Sequence, residues 1–197
     1  MVRQGRVQIC VTACFCVSMA LSLCILPLKL VSSWLLAIAV HEVFHCIAAL
    51  GCGSTLRRIR ITMLGAEIVA DGGSPGCEII SSLAGPVGSL LLLLFRKTIP
   101  ITALCALIHA IYNLLPLTNL DGGRALHSSL RLLLNSNRAE TICNLIDWTV
   151  RILLLVGALF ISWRMQWGAL ILFSVILLFR KNDRVKSTCK RKRLQLQ

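Results

Sequence analysis

Charged residues are scarce in this chain, in which lysine, arginine, aspartate and glutamate together make up 15% of 197 residues. Soluble globular domains usually carry about 25% charged residues, so this composition excludes an ordinary soluble domain. Hydrophobic residues reach 56% and the mean hydropathy is +0.79, values typical of an integral membrane protein. A chain of this length has room for about six spanning helices of about 20 residues each, and for little else.

The ten cysteines include no CxxC pair, and most of them lie within apolar runs. Thiolate metal sites and thiol redox sites commonly contain that spacing, so the sequence argues against a cysteine-based metal site or a disulfide framework. We interpret the cysteines as small buried hydrophobic side chains.

Only 8 acidic residues stand against 21 basic ones, which gives a formal net charge of +13. The basic residues lie at the ends of apolar runs and in one tail, so they indicate membrane topology and no nucleic-acid partner. The apolar runs predict six spanning helices, over residues 7–28, 31–53, 78–95, 99–119, 142–163 and 165–179. With the N-terminus inside, 16 basic residues fall in inner segments and 4 in outer turns. This asymmetry predicts a multi-pass protein of the cell membrane with both termini cytoplasmic.

Residues 31–56 contain no lysine, arginine or aspartate, yet this stretch carries an HExxH motif formed by His41, Glu42 and His45. A charged side chain at the centre of a membrane helix costs about 2.5 to 3.5 kcal/mol on insertion scales, so the motif needs a chemical reason. Residues four apart lie on one helical face, so both imidazoles can reach one zinc ion while Glu42 faces its bound water. Paired or cavity-facing polar groups are the alternative interpretation.

The fourth predicted span carries a second polar cluster, in which Asn113, Pro116 and Asp121 precede two glycines. We expect the helix to be interrupted between Asn113 and Pro116, and to end at Asp121 and the glycines on its cytoplasmic side. Asp121 could then complete a zinc site, although an aspartate at a helix end or turn is the alternative. A continuous helix would put His109 about 18 Å from Asp121, so we interpret His109 as a packing or hydrogen-bonding residue.

Three smaller features complete the predicted architecture. Alternating polar and apolar residues over 56–70 predict a short β-hairpin at the cytoplasmic face. The small residues around Ser89 in the third span indicate close helix packing, and we assign Ser89 to that packing. Asp147 and Arg151 in the fifth span are four apart and can neutralise each other. The predicted fold class is an all-α polytopic membrane protein, with six transmembrane helices and a small membrane-associated β-hairpin after the second.

Two of these motifs together resemble a known family. HEVFH in the second span and NLLPLTNLDGG at residues 113–123 are similar to motifs of the site-2 proteases, zinc metalloproteases that cut within membranes. The six-span size is most like the stage IV sporulation protein FB branch, and the resemblance covers residues 31–126. It implies one zinc ion per chain with His41, His45 and Asp121 as ligands, Glu42 as the catalytic base, and Asn113 and Pro116 as substrate-binding residues.

The sequence departs from the family pattern at three places. Ser89 stands where the family often has asparagine, and Asn119 replaces a common proline. The C-terminal nucleotide-sensing domain of many sporulation members is not expected here.

The predicted organisation is one six-span membrane protease domain over residues 1–180, with its core at 31–126, followed by a basic cytoplasmic tail over 181–197. The predicted function is hydrolysis of a peptide bond in a membrane-associated protein near the cytoplasmic side of the bilayer. The resemblance implies a membrane-tethered transcription (sigma) factor precursor as substrate, and regulatory membrane proteins as further partners.

Two other classes of function remain open at this point. One is a polytopic metal transporter, whose histidines and carboxylates would line an ion path. The other is an inactive protease-like membrane binding module. Zinc flux across vesicles would favour the transporter, and loss of cleavage on replacing Glu42 would favour the protease.

Overall fold

The computed structural model describes residues 8–62 and 65–164, which form six helices, three short strands and one 3-10 turn. The sixth predicted span and the basic tail lie outside the described residues. The strands are β1 (Gln8–Val11), β2 (Thr55–Thr62) and β3 (Gly65–Asp71). The helices are α1 (Ala13–Ile25), α2 (Leu28–Gly51), α3 (Pro75–Leu91), α4 (Pro100–Asn113), α5 (Asp121–Leu133) and α6 (Ser136–Arg164), and the 3-10 turn is Leu92–Phe95.

Within the described part of the chain, three helical segments are long and apolar enough to cross a membrane: Leu28–Gly51, Pro75–Phe95 and Ser136–Ile161. The helices Ala13–Ile25 and Pro100–Asn113 are apolar but shorter. These segments support the prediction of a membrane protein. The count of six spans and the orientation of the termini stay predictions.

The predicted hairpin at 56–70 is confirmed, since β2 and β3 pair in antiparallel register. A third strand, β1, pairs in parallel with the other edge of β2, so the sheet order is β1-β2-β3. The expected helix over 7–28 therefore begins only at Ala13. Thr12 explains the change, because its backbone N–H and its hydroxyl both donate to the carbonyl of Ile61 at 3.1 Å, while its Oγ1 caps the first turn of α1.

The small residues of the third span give α3 a flat face against α2. Ser82, Gly85, Pro86, Gly88 and Ser89 are all buried on α3, which packs against α2, α4 and α5. A Cβ atom on Gly88 would lie 2.4 Å from Cγ of the Phe44 ring, so that crossing requires glycine. The close packing predicted for this span is confirmed.

The chain between α4 and α5 is irregular over residues 114–120. Helix α4 ends at Asn113, as the expected interruption requires. The expectation that Asp121 and the glycines end a helix is wrong, because Asp121 begins α5. Cβ atoms on Gly122 and Gly123 would lie 2.2 Å from the Leu114 carbonyl oxygen and 2.0 Å from that of Leu117. Residues 114–117 therefore fold back over the start of α5, and only glycines leave space for them.

The chain divides into two compact units, with the boundary after Cys143. In the second unit, Arg151 Nε donates to Asp147 Oδ2 at 2.7 Å and Arg151 Nη2 donates to Asp147 Oδ1 at 3.3 Å. Both side chains are buried. The predicted neutralisation of this pair along one face of α6 is confirmed.

Candidate metal centre

Helix α2 presents His41 and His45 on one face, as their four-residue spacing requires. Both residues are buried, with 2% and 6% of their surface exposed. The two rings meet edge to face with centroids 4.6 Å apart, and their Nε2 atoms are 3.0 Å apart. The imidazoles therefore converge on one point.

Asp121, the first residue of α5, brings a carboxylate to the same point. Its Oδ2 atom lies 3.0 Å from Nε2 of His41 and 3.0 Å from Nε2 of His45. Its other oxygen, Oδ1, lies 3.7 Å from Nη1 of Arg124, which is one turn further along α5. Among the described residues, the triad His41, His45 and Asp121 is the group whose ligand atoms are close enough to hold one metal ion.

The far nitrogen of each histidine is held by helix α3. His45 Nδ1 donates to the carbonyl oxygen of Ser81 at 2.6 Å, and His41 Nδ1 lies 2.9 Å from the hydroxyl oxygen of Ser89. A carbonyl oxygen can only accept, so the His45 proton sits on Nδ1 and, in the neutral ring, the Nε2 lone pair faces the triad. Partners of this kind orient metal-binding histidines.

The donor set fits a divalent metal ion. A tetrahedral zinc ion with bonds of about 2.0 to 2.1 Å places its ligand atoms about 3.3 Å apart, close to the 3.0 Å separations here. Two imidazole nitrogens and a carboxylate oxygen suit a transition metal ion such as zinc. When the lone pairs of all three atoms face one point, they repel one another unless a proton or a metal cation lies between them, so the triad can accept a cation.

Gly85 on α3 makes room for the triad. A Cβ atom at this position would lie 2.2 Å from His45 Nε2 and 2.7 Å from His41 Nε2. Real Cβ atoms do not approach other atoms so closely. The helix that carries Ser81 and Ser89 therefore touches the histidine rings directly at this glycine.

No family model and no curated protein matches the chain. Among solved structures, it is similar to the site-2 protease from Methanocaldococcus jannaschii, with 17% sequence identity and a TM-score of 0.62. The similarity covers 91% of this chain and 89% of that chain. The chain has the site-2 protease fold.

Within the site-2 protease fold, the other predicted site residues lie at separate places. Glu42 is half-buried on α2, beside His41 in sequence, and interacts electrostatically with His45. Asn113 is buried at the end of α4, and Pro116 is half-buried in the irregular segment that follows. The structure thus brings three of the six predicted residues into one group.

His109 is confirmed as a hydrogen-bonding and packing residue. The Asn113 Nδ2 group donates to His109 Nε2 at 3.1 Å and to the His109 carbonyl oxygen at 3.0 Å. The His109 ring stands edge to face against that of His41, with centroids 4.5 Å apart. His109 is thereby linked to both the triad and Asn113.

Sequence reasoning missed the contacts that α3 makes with the triad. The small residues around Gly85 indicated a close approach, but not which helix approaches. Ser81 acts through its backbone carbonyl, which any residue supplies, so no side-chain signal could reveal it. The interpretation of Ser89 as a packing residue is incomplete, because its hydroxyl contacts a triad histidine.

Proposed function

We propose that this protein is an intramembrane zinc metalloprotease. The observation that carries the proposal is the meeting of His41 Nε2, His45 Nε2 and Asp121 Oδ2 at mutual distances of 3.0 Å in a site-2 protease fold. Three protein ligands leave one position of a tetrahedral ion open, as catalytic zinc sites do. Structural zinc sites normally have four protein ligands.

Each residue of the proposed site has a separate chemical role. His41, His45 and Asp121 would hold the ion. When bound, zinc supplies a Lewis acid that polarises the scissile carbonyl and acidifies water. Glu42 accepts a proton from the attacking water and passes it to the leaving amine, so that one carboxylate serves as general base and then as general acid. Arg124 lies near the second oxygen of Asp121 and favours the ionised carboxylate there.

A helical substrate must become extended before its peptide bond can be attacked, because helical hydrogen bonds shield that bond. The sheet offers main-chain partners for an extended segment. Strands β1 and β3 form the two edges of the sheet, and we expect substrate to add along β3, which is the longer edge with seven residues against four. Asn113 and Pro116 lie at the end of α4, where helical order is lost, and we assign them to seating the substrate.

We further propose membership of the stage IV sporulation protein FB branch, with both termini cytoplasmic. The predicted six-span size, together with the motif pair, supports the branch, and the distribution of basic residues supports the orientation. The substrate class is then a membrane-tethered transcription (sigma) factor precursor, cut near the cytoplasmic side of the bilayer.

The test replaces Glu42 with glutamine in protein reconstituted with zinc and with candidate tethered substrates. We expect Glu42→Gln to retain zinc, since Glu42 is outside the triad, and to lower the cleavage rate by at least about 100-fold. Glu140→Gln changes an exposed glutamate on α6 and serves as the matched control, with unchanged cleavage. Full cleavage by Glu42→Gln would refute the assigned base.

The same vesicles separate the alternative functions. A metal transporter would carry zinc across the bilayer without cleaving any substrate. An inactive binding module would retain the substrate without cleaving it. The protease proposal requires cleavage that depends on Glu42 and no zinc flux.

A further inference from the structure

Ser89 differs from most of the hydrogen-bonded hydroxyl residues in the described helices. Six helical hydroxyls donate to a carbonyl three or four residues earlier in their own helix: those of Ser18, Ser22, Ser32, Ser129, Thr141 and Thr149. This is the usual behaviour of serine and threonine in apolar helices. The Ser89 hydroxyl instead contacts the His41 ring on a neighbouring helix.

The contact between Ser89 and His41 is buried and short. Ser89 is 0% exposed, His41 is 2% exposed, and the distance from Oγ to Nδ1 is 2.9 Å. Burying a polar atom without a partner is destabilising, so the two buried groups stabilise each other. The bond also fixes the rotation of the ring, because Nε2 then faces Asp121 while Nδ1 faces Ser89.

We propose that Ser89 is a positioning residue for the metal, holding His41 with its proton on Nδ1 and its Nε2 lone pair towards the triad. Of the two hydrogen-bond directions open to this pair, only donation from Nδ1 to the hydroxyl leaves Nε2 able to bind a cation. The Ser81 carbonyl gives His45 the same orientation, so α3 holds both imidazoles through their Nδ1 atoms. This inference rests on the proposed metal site and identifies a residue beyond its three ligands.

The same face of α3 provides a matched control. Ser82 lies seven residues, about two turns, before Ser89, and it is likewise 0% exposed. Its Oγ atom has no hydrogen-bond partner among the described residues. Ser82→Ala and Ser89→Ala therefore remove the same atoms from equally buried positions of one helix. Only Ser89→Ala removes a contact with the triad.

The experiment measures zinc affinity by competition with a chromophoric chelator, using the full chain in detergent. Loss of an outer partner of a ligand histidine typically weakens metal binding 10- to 100-fold. We expect that loss for Ser89→Ala and a change below about twofold for Ser82→Ala. Cobalt in place of zinc should give an altered visible absorption spectrum in Ser89→Ala alone, because the geometry of the His41 ligand changes.

A second pair of variants separates hydrogen bonding from packing. Threonine and valine have nearly the same shape, so any steric cost at position 89 is shared by Ser89→Thr and Ser89→Val. We expect the threonine variant to bind zinc at least about 10-fold more tightly than the valine variant. Equal affinities for this pair, or wild-type affinity in Ser89→Ala, would overturn the inference.

The outcomes for Ser89 and for proteolysis are distinguishable. Zinc binding that depends on Ser89, in a protein that cleaves no substrate, would refute the protease and leave the positioning role standing. If the protein cleaves substrate but its zinc affinity does not change when Ser89 is replaced, the protease proposal stands and the positioning role is refuted. A wild-type chain that binds no zinc would overturn both.

Discussion

At the scale of single residues, the candidate metal centre depends on a glycine as well as on the three side chains of the triad. His41, His45 and Asp121 supply the ligand atoms, but Gly85 supplies the space in which the two rings lie. The HExxH motif predicted that His41 and His45 lie together, because their spacing is local to one helix. Gly85 could be predicted only as a packing residue, since its contact with the rings depends on how α2 and α3 cross.

Gly85→Ala is expected to disrupt the triad. Its Cβ would lie 2.2 Å from His45 Nε2, so either the ring must turn or α3 must move away. We expect zinc affinity to fall by more than about 10-fold, measured by chelator competition. Gly157→Ala is the control, because a Cβ there meets no atom within 4 Å. Unchanged zinc affinity in Gly85→Ala would show that the rings do not occupy this place.

At the scale of secondary-structure elements, the start of α5 fixes the third ligand. Gly122 and Gly123 allow residues 114–117 to fold back over the helix, and Asp121 directly precedes them. The sequence predicted that the chain becomes irregular after Asn113, since proline follows. It did not predict that a new helix begins at Asp121, because the glycines suggested a helix end, whereas their role is close backbone contact.

Gly123→Ala should therefore weaken the metal site from outside the triad. A Cβ at Gly123 would lie 2.0 Å from the Leu117 carbonyl oxygen, and the resulting shift would displace Asp121, two residues earlier in the same turn of α5. We expect a loss of bound zinc, measured as zinc per chain after dialysis. Gly51→Ala, where a Cβ meets nothing within 4 Å, should keep the wild-type zinc content. Equal zinc contents in the two variants would contradict this account of α5.

Helix α6 carries a buried ion pair that sequence spacing did reveal. Asp147→Asn would leave the Arg151 charge without its ionised partner, and breaking one side of a buried pair typically costs about 3 to 5 kcal/mol. We expect a clear fall in the free energy of unfolding, measured by denaturant titration in detergent. Replacing both residues by leucine should cost much less, because no buried charge then remains. A double variant as unstable as Asp147→Asn would argue against this explanation.

At the scale of the whole molecule, composition predicted a membrane protein, and three long apolar helices in the described part of the chain support it. The alternation of polar and apolar residues over 56–70 also predicted the hairpin. Strand β1 was missed because residues 7–28 form one continuous apolar run, in which nothing local distinguishes a strand followed by a short helix from one longer helix. Its partner, β2, lies about fifty residues away, so the pairing is a property of the folded chain.

The distribution of basic residues predicts the orientation of the whole chain. With both termini inside, a green fluorescent protein fused after Gln197 should fluoresce, and alkaline phosphatase fused at the same place should be inactive. Fusions after Lys97, in a predicted outer turn, should give the reverse pattern. Active phosphatase at the C-terminus would refute the predicted topology.

Strands β1 and β3 form the two edges of the sheet, and β3, with seven residues against four in β1, offers a substrate segment the longer row of main-chain partners. Such a substrate would be bound through its main-chain N–H and C=O groups, which nearly every amino acid supplies. Recognition would then depend on how readily a transmembrane segment uncoils, more than on a consensus around the scissile bond. Residues that weaken a helix should mark the segments chosen, whereas a proline facing β3 should be rejected because it has no N–H to donate.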